Sequence, residues 1–437
     1  MASTKPRILF VGDSLATTTG LSYFVRNILT HYVKTQKYII GHITIAGKEC
    51  DHNSITLHGE DFIKIARNVE FFNAQLLDKE KSKTFDSIIN KFQPDIVISA
   101  HDPWVIDQIA YSAYKHTFFW ATYLTIEAPE YPEFVIYPTP AHPNFRKSIK
   151  NTLLSADLCI PCTKMAENAL KNWGLNLSEN VYCGVDLSET IKEDISKSSV
   201  FGAQVLEDDF VFMTVGINSE RKRIDRVVKS FEKFLDKVRE TKYDGVMDYK
   251  KYKLYVHSDF DKSQGGTDLK SLIKQSPYRS QIFIPGNYQV GIGIKREELY
   301  KKYKASDCYI GLSSGEGFGY GYVEAAMHGK PVIYINYGGH IEYCSSFGLP
   351  VKVSEFTYAI NATIEWALSD YNDCANQMIK ICTDKKLYKK LSENGIKESK
   401  KFSWTLINER FYKIVTRYYK EWKSQSQNTK FYYKRIV

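Results

Sequence analysis

Short apolar runs alternating with amphipathic segments, in two successive blocks, constrain the fold of this chain more than any other feature. "RILFVGD" (Arg7–Asp13) is a first apolar run, and it breaks into the polar loop "SLATTTG". Leu21, Phe24, Val25, Ile28, Leu29 and Tyr32 then recur at helical spacing. "DIVISAHD", "TFFWATYL" and "SADLCIPCT" repeat the apolar pattern, and the last leads into the helix "KMAENALKNWG", closed by Gly174. A polar stretch, "VDLSETIKEDISKSS", interrupts the alternation. It then restarts with "DFVFMTVGI", a helix lined by Ile224, Val227, Val228, Phe231 and Leu235, and the runs "KLYVHSD", "QIFIPG", "CYIGLSS" and "PVIYIN". Apolar runs separated by helices are strands of a parallel sheet covered on both faces. The prediction is an α/β chain of two doubly wound, Rossmann-like halves facing a central cleft, with ligands at the carboxyl ends of the strands. Residues 1–185 form the first half and 186–400 the second, with a linker near 186–208; 401–437 form a closing helix and basic tail.

The 437 residues exceed one ordinary core, which agrees with two domains. A net charge of +9 over this length suits an anionic ligand or surface and falls short of a nucleic-acid footprint. The eight cysteines form no disulfide-like framework, and the apolar run near the N-terminus is too short for a signal peptide. The expected location is therefore the cytoplasm, with peripheral membrane contact as an alternative. The basic, amphipathic "FRKSIKNTLL" (145–154) carries that alternative, against the reading of a solvated helix face.

"GEGFGYGYVEAAMHGKPVIYIN" (315–336) places a Gly-rich turn and a carboxylate in front of a helix. Gly315, Gly317 and Gly319 let the backbone turn tightly beside a ligand. The helix predicted from about Tyr320 to His328 stops at Gly329, with Pro331 just beyond. Its N-terminus, with unpaired N–H groups at the positive end of the dipole, is a seat for a diphosphate. Glu316 precedes the helix, beside whatever the phosphates carry. Glu324 lies about a turn inside, where its carboxylate can accept ribose hydroxyls.

Glu316 and Glu324 stand in an E-x7-E relation that resembles the signature of retaining GT-B glycosyltransferases of the family-4 type. "VGINSERKRIDRVVKSF", "ADLCIPCTKMAENAL", "CGVD" and "FSWTLINERFYKIVTRYY" resemble further segments in the family's order. The resemblance implies a GT-B fold and transfer of a sugar from a nucleotide-diphosphate donor to an acceptor hydroxyl with retention of configuration. It needs no metal and no cofactor beyond the donor. It implies that Glu316 contacts the donor sugar, Glu324 the ribose, and Gly317, Phe318 and Gly319 the phosphates. Arg221 and Lys222, with Asn218 nearby, supply the basic side of the diphosphate site. Many relatives carry Arg directly after the strand's Gly, whereas Ile217 and Asn218 follow Gly216 here. Gly20 is expected to face the donor phosphate.

His101 and Asp102, in "HDPW", end a first-half strand and are candidates for acceptor hydroxyls or for a satisfied structural pair. Relatives carry a His where "YLTIEAPEYPEF" stands, and Glu127 is the substitute expected near the donor sugar, with Tyr123 a weaker candidate. Gly338, Gly339 and Glu342 are expected to shape the donor pocket. Asp259 and Asp261 form a D-x-D, which holds a metal in the other glycosyltransferase fold but more often caps a loop in this one. Cys159 and Cys162 form a C-x-x-C with no thioredoxin-sized domain around it. The acceptor is left open among glycan, lipid, protein and modified nucleic acid. The alternatives are a nucleotide-sugar epimerase on the same fold and a sugar-nucleotide-binding subunit without catalysis. A nucleic-acid modifier rests on net charge alone.

Overall fold

A computed structural model describes residues 5–46, 60–73, 81–136, 146–240, 247–260, 265–285, 294–359 and 364–433. The chain divides into two compact units: 1–126 with 131–183 and 404–437, and 127–130 with 184–403.

The first unit is built on β1 (Arg7–Asp13), β2 (Ile39–Ala46), β3 (Val69–Asn73), β4 (Ile96–Ala100), β5 (Phe119–Leu124) and β6 (Leu158–Pro161). They form one sheet in the order β3-β2-β1-β4-β5-β6, every neighbouring pair parallel. β4 and β5 are buried along their whole length, which is why they read as continuous apolar runs. Helix α1 (Gly20–Thr35) packs on this sheet through Phe24, Val25, Ile28 and Leu29. The C-terminal helix, Trp404–Tyr433, belongs to this unit: Trp404 lies 5.4 Å from Tyr23, and Phe411 lies 5.7 Å from Phe24. Residues 434–437 of the tail lie outside the described residues.

The second unit repeats the plan with β7 (Phe210–Val215), β8 (Tyr252–His257), β9 (Ile282–Phe283), β10 (Cys308–Gly311), β11 (Val332–Ile335) and β12 (Gly348–Val351). Their order is β9-β8-β7-β10-β11-β12, again wholly parallel. The two helices that position the site are α2 (Ile224–Glu240), after β7, and α3 (Tyr320–Met327), after β10. An antiparallel hairpin, β13 (Val353–Tyr358) with β14 (Glu365–Ser369), follows the sheet. The expected architecture of two doubly wound parallel sheets is what the chain adopts. The polar stretch read as a linker is folded into this unit: Lys197 pairs with Asp307 at 2.6 Å, and Ser196 Oγ donates to Glu207 at 2.6 Å. No helix among the described residues is long and apolar enough to cross a membrane.

Candidate active site

β10 delivers the chain to Ser313–Gly319, and α3 starts directly behind. Gly319 is the N-cap, with φ of +85°, and a Cβ there would sit 2.6 Å from the Tyr322 ring. Only glycine satisfies both conditions. Gly319 has no side chain with which to cap the helix, and the positive end of the helix dipole points at this turn. The helix runs to Met327, with His328 as C-cap and Gly329 at φ +70°. Gly315 is a close approach: a Cβ there would meet the Glu127 carbonyl at 3.0 Å.

Glu316 is 7% exposed and forms the centre of the cluster. Lys222 Nζ donates to its Oε1, and Arg221 Nη1 donates to its Oε2 at 3.1 Å. Arg221 Nη1 also donates to the Gly315 carbonyl at 2.7 Å, and its Nε lies 3.1 Å from Glu127 Oε1. Burial pushes the Glu316 carboxyl up, but Lys222 and Arg221 outweigh it and hold the group well below the usual carboxylate range. Two cations and two carboxylates thus interlock in front of α3. The Gly339 N–H donates to the Glu316 carbonyl at 2.9 Å, which ties the Gly338–Gly339 loop to the turn.

Glu324, 3% exposed, faces a residue the sequence reading missed: Arg296 Nη1 donates to its Oε1. A carboxylate offers about four lone-pair sites, so this pairing does not use all of its accepting capacity. Arg296 carries no sequence signal, since it opens a highly charged helix, "REELYKKYKA", in which one more basic residue does not stand out. Trp366 was also missed. Its Cδ1 would lie 3.5 Å from a Gly315 Cβ, and its buried indole N–H has no partner among the described residues.

Several expected ligand residues have structural work instead. Asn218 is 1% exposed; its N–H donates to Asp259 Oδ1 at 2.9 Å and its Nδ2 to the Thr267 carbonyl at 2.8 Å. Asp259 therefore caps a loop. Asp261 lies outside the described residues, among which no group of three or more His, Cys, Asp or Glu is placed to hold a metal ion. Phe318 packs its ring against Tyr320, Tyr343 and Phe402, and only its backbone faces the turn.

In the first unit, Gly20 opens α1 behind Thr19, whose hydroxyl donates to Asp13 at 2.7 Å. His101 Nε2 lies 3.1 Å from Asp13 Oδ1, and its Nδ1 accepts the Asp102 N–H at 2.8 Å. Burial works against the imidazolium, but the carboxylates of Asp13 and Asp102 prevail and raise its pKa. His101 is thus a satisfied partner of Asp13, an acid at the end of β1 that the sequence reading passed over. Tyr123 is a core residue: its ring stacks on Phe24 at 3.8 Å and its hydroxyl donates to the Val181 carbonyl. It offers nothing to an acceptor, because its strand is buried throughout.

The C-x-x-C thiols do not face each other. Cys162 Sγ lies 3.8 Å from Cys183 Sγ, while Cys159 points to the Leu153 carbonyl, and burial pushes the Cys159 thiol up to about 12. In the basic segment weighed as a solvated helix face against a membrane surface, Lys147 pairs with Asp107 at 2.8 Å and Lys150 with Glu133 at 2.6 Å. Those pairs offset two of the segment's three cations, Arg146 is exposed, and Phe145 lies outside the described residues.

The family Glycosyl transferases group 1 matches residues 197–398, all within the second unit. HepE from Anabaena, solved with UDP and glucose, shares the fold at a TM-score of 0.64 and 15% identity, over 94% of this chain and 100% of that one. Sucrose-phosphate synthase from Thermosynechococcus elongatus does so at 0.68 and 16%, over 94% and 98%. Probable sucrose-phosphate synthase 2 of Oryza sativa subsp. japonica is 25% identical over 142 residues, 32% of this chain and 13% of that protein's length. The fold is GT-B, and the domain match supports glycosyl transfer as the class of activity.

Proposed function

We propose that the chain, with its glycosyl transferases group 1 domain, moves a hexose from a nucleotide-diphosphate donor to an acceptor hydroxyl with retention of anomeric configuration. One observation carries this reading: Arg221 and Lys222 converge on Glu316 in front of the α3 N-terminus, where the cap position is a glycine. A diphosphate seated there takes the two cations and the helix dipole together. Glu316 is then left beside the anomeric carbon, where positive charge develops as the bond to the phosphate oxygen breaks. The acceptor oxygen bonds to the anomeric carbon on the same face, and the departing phosphate oxygen takes the acceptor's proton. No separate protein base is required. Glu127 holds Arg221 in place through its Nε, which is the role its position supports. Glu324, oriented by Arg296, receives the ribose.

HepE is described with UDP and glucose, so UDP and UDP-glucose are the first ligands to test. Lys222→Ala should weaken UDP binding about ten- to a hundredfold, since a hydrogen bond to a charged group contributes roughly 1.5–3 kcal/mol. Titration calorimetry checks this; unchanged affinity would remove Lys222 from the phosphate site. Because cations of the chain itself neutralise the diphosphate, activity should survive excess EDTA. Complete loss restored by Mn²⁺ or Mg²⁺ would return the case to Asp259 and Asp261. Slow release of free sugar from the donor without acceptor separates a transferase from a binding subunit without catalysis.

A further inference from the structure

Arg223 is one of three non-glycine residues with positive φ among the described residues, at +47°. It lies between the two proposed phosphate-binding side chains and the first residue of α2. A side-chain-bearing residue in the left-handed region costs free energy relative to glycine, and such positions persist only where surrounding contacts hold them. The contacts here are specific. Arg223 Nε donates to Ser314 Oγ at 3.1 Å, and its Nη2 lies 3.4 Å from Glu220. Ser314 is fully buried, and its N–H donates to the Arg221 carbonyl at 2.8 Å. Arg221 in turn donates to the Gly315 carbonyl at 2.7 Å. Three hydrogen bonds therefore stitch residues 221–223 to residues 314–315, which lead directly into Glu316.

The left-handed turn also sets direction. The Lys222 N–H bonds back to the Ser219 carbonyl at 3.1 Å, and the Arg226 N–H to the Arg223 carbonyl at 3.0 Å. Residue 223 is thus the corner at which the loop becomes helix. Its dihedrals set the direction in which α2 leaves the loop that carries Arg221 and Lys222.

We infer that Arg223 is a positioning residue: its guanidinium clamps Ser314 and holds the strained corner, fixing Arg221 and Lys222 against the Glu316 turn for the donor diphosphate. This rests on the reading of that turn as the diphosphate seat. Glycine is comfortable at positive φ, so Arg223→Gly relieves the strain as it removes the clamp. A group that only stabilises the fold and a group that positions the site then predict different results.

The experiment measures UDP affinity by calorimetry and thermal unfolding for wild type, Arg223→Gly, Ser314→Ala and the double variant. The clamp predicts UDP binding weakened about tenfold in each single variant, with melting temperatures within about 2 °C of wild type. The double variant should bind no more weakly than the weaker single, because both substitutions break one hydrogen bond. Unchanged affinity in Arg223→Gly overturns the inference, as do additive losses in the double variant. A fall in melting temperature beyond about 4 °C with unchanged affinity assigns Arg223 to stability alone. If wild-type protein binds neither UDP nor other nucleoside diphosphates, the reading of the seat fails and this inference falls with it.

Discussion

Glu316→Gln is expected to lower saturated turnover about a hundredfold or more while leaving UDP affinity equal to or tighter than that of wild type. The substitution keeps the shape of the side chain and removes its charge. In the ligand-free protein that charge holds Lys222 and Arg221, so the carboxylate competes with an incoming diphosphate for the same cations. Its removal frees them, and the diphosphate gains. The sugar loses. As the bond to phosphate breaks, the anomeric carbon acquires positive character that a neutral amide cannot stabilise. Removing one preorganised electrostatic contact of this kind costs about 2.7–4 kcal/mol, or 10²–10³ in rate. An interaction made mainly in the transition state lowers turnover rather than binding. Equal turnover, or UDP binding weakened as in Lys222→Ala, would falsify the assignment. The pH sign is also fixed. The Glu316 carboxyl is held below its unfolded value, so its stabilising contribution is present above about pH 4.5. It fades as pH falls towards the lower folded value, and Glu316→Gln should flatten that acid limb of the stability profile.

Glu324→Ala should reduce both donor affinity and stability, and the second effect follows from Arg296. Truncating one partner of a buried pair leaves the other charge uncompensated, at about 3–5 kcal/mol. The Arg296 side chain is 23% exposed, so solvent recovers part of this and roughly 2–3 kcal/mol is expected. For a unit of about this size each kcal/mol shifts the melting temperature by about 2–4 °C, giving a fall of roughly 4–12 °C. Loss of the ribose contact should weaken UDP by about ten- to a hundredfold. The two effects separate in the double variant Glu324→Met with Arg296→Met. A matched apolar pair removes the stranded charge and recovers much of the melting temperature. It restores no acceptor for the ribose, so UDP affinity should stay low. Recovery of affinity along with stability would mean that the Glu324 carboxylate does not touch the nucleotide.

The sheet strands were legible where burial acts on both faces. "RILFVGD" matches β1 residue for residue, because a strand covered by helices on both sides carries an apolar run, here Ile8–Val11, between its ends. The site helix was legible for a different reason. Gly319 and Gly329 bracket it, and positive φ at both ends restricts those positions to glycine. The hairpin of β13 and β14 was not legible. β13 is largely exposed, with Phe356 and Tyr358 on its surface, so no burial pattern marks it. Tyr123 and Phe318 were read as ligand contacts because of what stands next to them in the chain. Their side chains turn into the core, a choice made by neighbouring elements.

Glu316, Glu324, Arg221 and Lys222 could be singled out as candidates from sequence because a glycine turn before one helix and basic residues before another are local properties of the chain. What each of them touches was decided by tertiary structure. Arg221 meets Glu316 across 95 residues and Arg296 meets Glu324 across 28, while Asp13 claims His101 from another strand. Charge pairing depends on distance in space and on shared desolvation, and neither is written in the order of residues. The left-handed corner at Arg223 belongs to the same class. An arginine there reads as one more basic residue until Ser314, 91 residues away, is folded against it.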